Sequence, residues 1–112
     1  MNHEEFRKKM ATYTAMTDDM MSNIQALNLK NTKKREIYII AMEELSELQK
    51  EISKELRGQG DRDGILEELV DVLIVCANVV DLQKITDNEL RTATAIKLDE
   101  ILGKLVEKES AR

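Results

Sequence analysis

Five carboxylates, Glu43, Glu44 and Glu47 followed by Glu68 and Asp71, are spaced so that they can converge. Glu44 and Glu47 are three apart, Glu43 and Glu47 four apart, and Glu68 and Asp71 three apart. Those spacings put side chains on one helix face, where like charges repel and destabilise an isolated helix. Asp71 also sits inside an apolar run of Leu69, Val70, Val72, Leu73, Ile74, Val75, Cys76 and Ala77. A buried carboxylate needs compensation by a proton, an Arg or Lys partner, or a metal ion. A Glu-rich face solvated beside Lys50 and Lys54 is the competing reading of the first group. Asp71 within its apolar run shifts the balance toward metal. An all-oxygen ligand set suits a hard cation, Mg²⁺ or Mn²⁺, better than zinc. No Cys or His joins the cluster, and the lone histidine, His3, is expected to be solvated.

The elements that must position these groups are helices. Phe6, Met10, Tyr13, Met20, Ile24 and Leu27 recur at three-four spacing, with Thr17 in one slot, which predicts an amphipathic helix over 3–27. Asn31 or Thr32 can cap a second helix, 33–57, with the apolar stripe Ile37, Ala41, Leu45, Leu48, Ile52 and Leu56. Gly58 and Gly60 end it. Asp61 and Asp63 can cap a third helix, 64–82. The Asp61-Arg62-Asp63-Gly64 stretch lacks the further ligands and closing Glu of a calcium loop. A helix apolar on every side is buried on every side, and that is the expectation for the third helix, with Cys76 a packed thiol. Thr86 to Glu89 forms a capping box that opens a fourth helix, running to about residue 108. The short connection at 58–63 makes the second and third helices antiparallel neighbours, so the two acidic groups can meet.

The chain has 112 residues, consistent with a single domain over 1–112. Apolar residues are 42% and charged residues 35%, with no proline and four glycines, a composition that favours long helices over a sheet. The net charge of -5 argues against a nucleic-acid partner. The basic run Lys33, Lys34 and Arg35 reads as a solvated first turn. The opening MNHEEFRKKM lacks a signal-peptide core, and no stretch reaches the roughly 18 apolar residues of a membrane span. A cytoplasmic chain with no membrane partner is the expectation.

At the acidic residues the sequence resembles the all-α nucleoside triphosphate pyrophosphohydrolases, the MazG-like superfamily. The pattern is EExxE, a spacer, then ExxD, here Glu43-Glu44-Leu45-Ser46-Glu47 and Glu68-Leu69-Val70-Asp71. The likeness is to the short, stand-alone members of bacteria and phages and covers about residues 37–105. Four helices with so much apolar surface on the first and third predict a four-helix bundle that oligomerises, and the resemblance implies a homodimer or homotetramer. It implies hydrolysis of a nucleoside triphosphate to the monophosphate and pyrophosphate, with Mg²⁺ as cofactor. By the same resemblance Glu44, Glu47, Glu68 and Asp71 hold metal and Glu43 activates water. Lys97 matches a basic position on the family's last helix, with Lys104 and Arg91 behind it.

Asn78, seven residues after Asp71, shares its face and is a candidate for the sugar or base. Tyr38 and Tyr13 are the candidates for base stacking, since the chain has no Trp. Two other readings remain open from the sequence: a non-catalytic helical module that binds metal, nucleotide or a partner, and a structural bundle with solvated carboxylates.

Overall fold

Two local signals set the main hairpin. Gly58 adopts φ +74°, the left-handed conformation that glycine enters without steric cost. Its amide donates to the Glu55 carbonyl (3.0 Å) and the Gln59 amide to the Lys54 carbonyl (2.9 Å), a Schellman termination. Three residues after Gly58, the Asp61 side chain accepts from the Asp63 amide (3.2 Å) and starts the next helix.

The computed structural model describes residues 1–12 and 18–111; the side chains at 18, 19, 21, 28, 29 and 31 are not described. Tyr13 and Thr17 therefore lie outside the described residues. The described residues form α1 (His3–Met10), α2 (Asp18–Asn31), α3 (Lys34–Leu56), α4 (Arg62–Leu82) and α5 (Asp87–Ser110), with no strand among them. The expectation of an all-α chain is met. None of the described helices is long and apolar enough to cross a membrane.

The continuous first helix is not observed. α1 opens on Asn2, whose side chain accepts from the Glu5 amide (2.8 Å), and stops at Met10. There the Thr12 amide (3.0 Å) and hydroxyl (3.3 Å) both donate to the Lys9 carbonyl. A hydroxyl that competes for backbone groups weakens helix continuation. Neither Asn31 nor Thr32 caps α3: the N-cap is Lys33, which makes no side-chain capping bond, and Asn31 is the last residue of α2.

The chain divides into two compact units, 1–82 with α1 to α4, and 83–112 with α5. In the first, α3 and α4 pack as an antiparallel pair, and α1 and α2 rest on α4. The inward series on α3 is Ile37, Ala41, Glu44, Leu48 and Glu51, all buried or half-buried. On α4 it is Gly64, Glu68, Asp71, Val75, Asn78 and Leu82. Both run in alternating steps of four and three, the repeat of two helices packed along a shared seam.

That seam differs from the expected stripe. Leu45 and Ile52 are exposed, while Glu44 and Glu51 take the inward positions. Nor is α4 buried on every side: Leu69 and Leu73 are exposed, Leu73 at 66%, and Cys76 is an exposed free thiol. Leu69, Leu73 and Cys76 fall at i, i+4 and i+7, one exposed strip of the helix. Ile37, Ala41 and Val75 are the buried apolar residues among those described, so the core is small.

In the second unit, α5 carries the expected capping box. The Thr86 hydroxyl accepts from the Glu89 amide (3.1 Å), and Glu89 accepts from the Thr86 amide (3.2 Å). Its surface pairs are Arg91–Asp87 (2.8 Å), Lys97–Glu100 (3.8 Å) and Lys104–Glu100 (3.4 Å).

Candidate metal centre

The inward carboxylates of the α3–α4 seam meet at mid-height. Glu44, Glu68 and Asp71 each present an oxygen, and these atoms lie within 4.8 Å of one another. All three side chains are half-buried. Their proton affinities are raised. Burial pushes up Glu44, with further repulsion from Asp71, Glu47 and Glu43. Burial likewise pushes up Glu68, followed by Asp71, Glu67, Glu44 and Glu47. Asp71 is raised by burial and then by Glu67. Three carboxylates that disfavour one another's ionisation form a donor set for a cation.

This answers part of the sequence expectation. Glu44, Glu68 and Asp71 are brought together. Glu47 is exposed, yet close enough for its charge to be felt at Glu44 and Glu68. Glu43 is exposed and acts on Glu44 in the same way. Beside the carboxylates lies an open cleft of about 230 Å³, walled by Ile37, Ile40, Ile74 and Val75. Glu44, Asp71 and Asn78 line it. Asn78 Oδ1 is buried and accepts no hydrogen bond from the described residues, an orphaned acceptor of the kind that binding sites keep.

Tyr38 lies elsewhere, in a shallow surface groove with Lys34, Arg35, Ile39 and Met42. Lys97 belongs to the second unit, where it is exposed and faces Glu100.

Three residues of the first unit exceed the expectation. Glu51 is 5% exposed and is the buried charged residue among those described. Its Oε1 lies 3.4 Å from His3 Nε2 and 3.2 Å from Lys54 Nζ. The other nitrogen of His3, Nδ1, meets Glu67. His3 is therefore not the solvated residue expected. Its hydrogen bond to Glu67 raises its proton affinity, against a smaller lowering by burial, with Glu51 adding to the rise. One turn on, Arg7 grips Asp61 and donates to Asp63 (3.0 Å), so α1 is tied to the start of α4 at two levels. The signal for Glu51 was available: it continues the four-three series 37, 41, 44, 48, 51. The signal for His3 was not, because its partners are 48 and 64 residues away.

No family model, curated protein or solved structure gives a match to this chain.

Proposed function

We propose that the chain is an Mg²⁺-dependent nucleoside triphosphate pyrophosphohydrolase of the MazG-like type, releasing the nucleoside monophosphate and pyrophosphate. The observation that carries the reading is the convergence of Glu44, Glu68 and Asp71, the carboxylates of the EExxE and ExxD pattern, beside a cleft. The donor set fits a hard divalent ion: oxygens alone, mutually repelling, within one ion's reach. Mg²⁺ held there would neutralise phosphate charge and, by binding phosphoryl oxygens, make the phosphorus more electrophilic.

The chain's own residues would do the rest. Glu44, Glu68 and Asp71 would hold the ion, with Glu47, whose charge is felt at Glu44 and Glu68, as the fourth carboxylate. Glu43, exposed next to Glu44, takes the proton of the attacking water, as a carboxylate base can. The apolar walls Ile37, Ile40 and Ile74 accept a base or sugar, and Asn78 Oδ1 accepts a hydrogen bond from it.

Homodimerisation or homotetramerisation belongs to the same reading. Ile39 and Met42 on α3, and Leu69 and Leu73 on α4, are exposed, Met42 at 70%. Large apolar groups left in water on two helices favour association. Free nucleotides are met in the cytoplasm, so that is the proposed location.

The deciding experiment is a pyrophosphate-release screen across canonical and damaged NTPs and dNTPs with Mg²⁺, run beside Glu47→Gln and Asp71→Asn. The expected result is turnover of at least one triphosphate, reduced a hundredfold or more in Asp71→Asn. No turnover of any triphosphate, or full activity in both variants, refutes the catalytic reading. Sedimentation at micromolar concentration should give a dimer or tetramer; a monomer alone would refute the association.

A further inference from the structure

The ring of His3 is held between carboxylates on both of its nitrogens. Nε2 lies 3.4 Å from Glu51 Oε1, and Glu51 is 95% removed from solvent. Nδ1 faces Glu67, and one donor atom each of His3, Glu67 and Glu68 falls within 4.8 Å of the others. Metal-bound histidines characteristically donate their far N–H to a carboxylate, which fixes the tautomer and aims the other nitrogen at the ion. Glu51 stands in that place. With a cation between them, the carboxylate on Nε2 would hold the ring proton there and leave Nδ1 as the donor facing Glu67 and Glu68.

The backbone is cut to allow this. A Cβ at Gly64 would stand 3.1 Å from Glu51 Oε2 and 3.3 Å from His3 Nε2. The absence of a side chain at Gly64 is what lets the ring and the carboxylate share the space between α1, α3 and α4.

Charge points the same way. Glu51 is answered by Lys54 at 3.2 Å. That leaves Glu67 and Glu68, with Asp71 and Glu44 behind Glu68, facing a single imidazole. One proton on His3 offsets one of these charges.

We propose that His3, Glu67 and Glu68 form a second divalent-cation site, selective for ions that accept a nitrogen donor, with Glu51 orienting the His3 ring. Nitrogen and carboxylate donors together favour Zn²⁺ or Ni²⁺, whereas the all-oxygen group favours Mg²⁺ or Mn²⁺. Glu68 is common to both groups, so the two sites adjoin. The second site does not depend on nucleotide hydrolysis, and its ligands are distinct from the first apart from Glu68.

The chain has one histidine, so in untagged protein its ring signal is unambiguous by NMR. Chelator-stripped protein is titrated with ZnCl₂ in one arm and MgCl₂ in the other, following the imidazole ¹⁵N resonances. The expected result is a large change at Nδ1 with Zn²⁺, saturating at one equivalent at this site, and none with Mg²⁺. In calorimetry, His3→Asn should lose one Zn²⁺ equivalent or bind it at least tenfold more weakly, while still binding Mg²⁺. Asp71→Asn should lose Mg²⁺ and keep the Zn²⁺ response of the ring, so failure at one site is told from failure at the other. An imidazole signal unmoved by millimolar Zn²⁺ overturns the proposal and leaves His3 as an ion-pair partner only. So does a folded His3→Asn protein that binds Zn²⁺ like wild type. If His3→Asn does not fold, the wild-type ring signal decides.

Discussion

Asp71→Asn should stabilise the metal-free protein. The oxygens of Glu44, Glu68 and Asp71 lie within 4.8 Å of one another, and Asp71 takes part in two of the three pairs. At that distance one ionised pair repels by about 0.9 kcal/mol in water and about 3.5 kcal/mol at an effective dielectric of 20. The groups are half-buried, and screening discounts the upper figure. A net gain of about 1–3 kcal/mol at pH 8 follows, where all three are charged in the wild type. That corresponds to a rise in Tm of roughly 5–15 °C for a unit of this size. At pH 4, where the wild-type carboxyls bind protons, the gain should shrink toward zero. Saturating Mg²⁺ should reverse the order. A ligand at a thousand times its Kd stabilises by about 4.1 kcal/mol, more than the variant's gain, and only the wild type keeps the site intact. Thermal melts with chelator and with Mg²⁺, at both pH values, read all four cases. A variant less stable than wild type at pH 8 in chelator would refute the reasoning, because the carboxylates would not then be repelling one another.

Three further outcomes can be checked on purified protein. Glu44, Glu68, Asp71 and His3 all have folded-state proton affinities raised above their unfolded ones, so their contribution is present at low pH and lost as pH rises through the folded values. The metal-free Tm should therefore fall between about pH 4 and 8; a flat or rising profile would contradict this. Gly64→Ala should separate His3 from Glu51 and shift the His3 titration toward its ordinary value, measured by NMR, and an unchanged titration would mean that the close approach is not limiting. Thr86→Ala removes a capping-box hydroxyl and should destabilise α5 by about 1 kcal/mol, read as faster amide exchange over its first turn and refuted by unchanged exchange.

What was legible in the sequence was local. The Thr86 box and the Gly58 turn are written in residues three or four apart, and both formed as read. The acidic groups were legible as pairs on a face. The face itself was misjudged: the hydrophobic stripe placed Leu45 and Ile52 inside, whereas the four-three seam carries Glu44 and Glu51 there. A stripe of apolar residues wider than one partner can cover leaves the choice of inward edge to the facing helix. On α4 that edge holds Glu68, Asp71 and Asn78, so carboxylate meets carboxylate and leucines remain outside. The break after Met10 was not legible because no glycine or proline marks it, only a threonine hydroxyl turned back on Lys9. His3 was unreadable for a different reason, since a lone polar residue near one end declares nothing about partners in two distant helices.

The hairpin connection has a consequence for the order in which the protein assembles. α3 and α4 are adjacent in sequence and joined by one tight turn, so the contacts that bring Glu44 to Glu68 and Asp71 close a short loop. Contacts of that kind form early and fast, while those that span long stretches of chain wait for loop closure. The oxygen cluster should therefore exist as soon as the hairpin zips, before α1 has found its seat. His3 reaches Glu67 across 64 residues and would arrive last. A folding experiment started by dilution from denaturant should then show Mg²⁺ capture in an earlier phase than the change in the histidine ring, so that a cation already in solution could template the hairpin on which the rest of the unit docks.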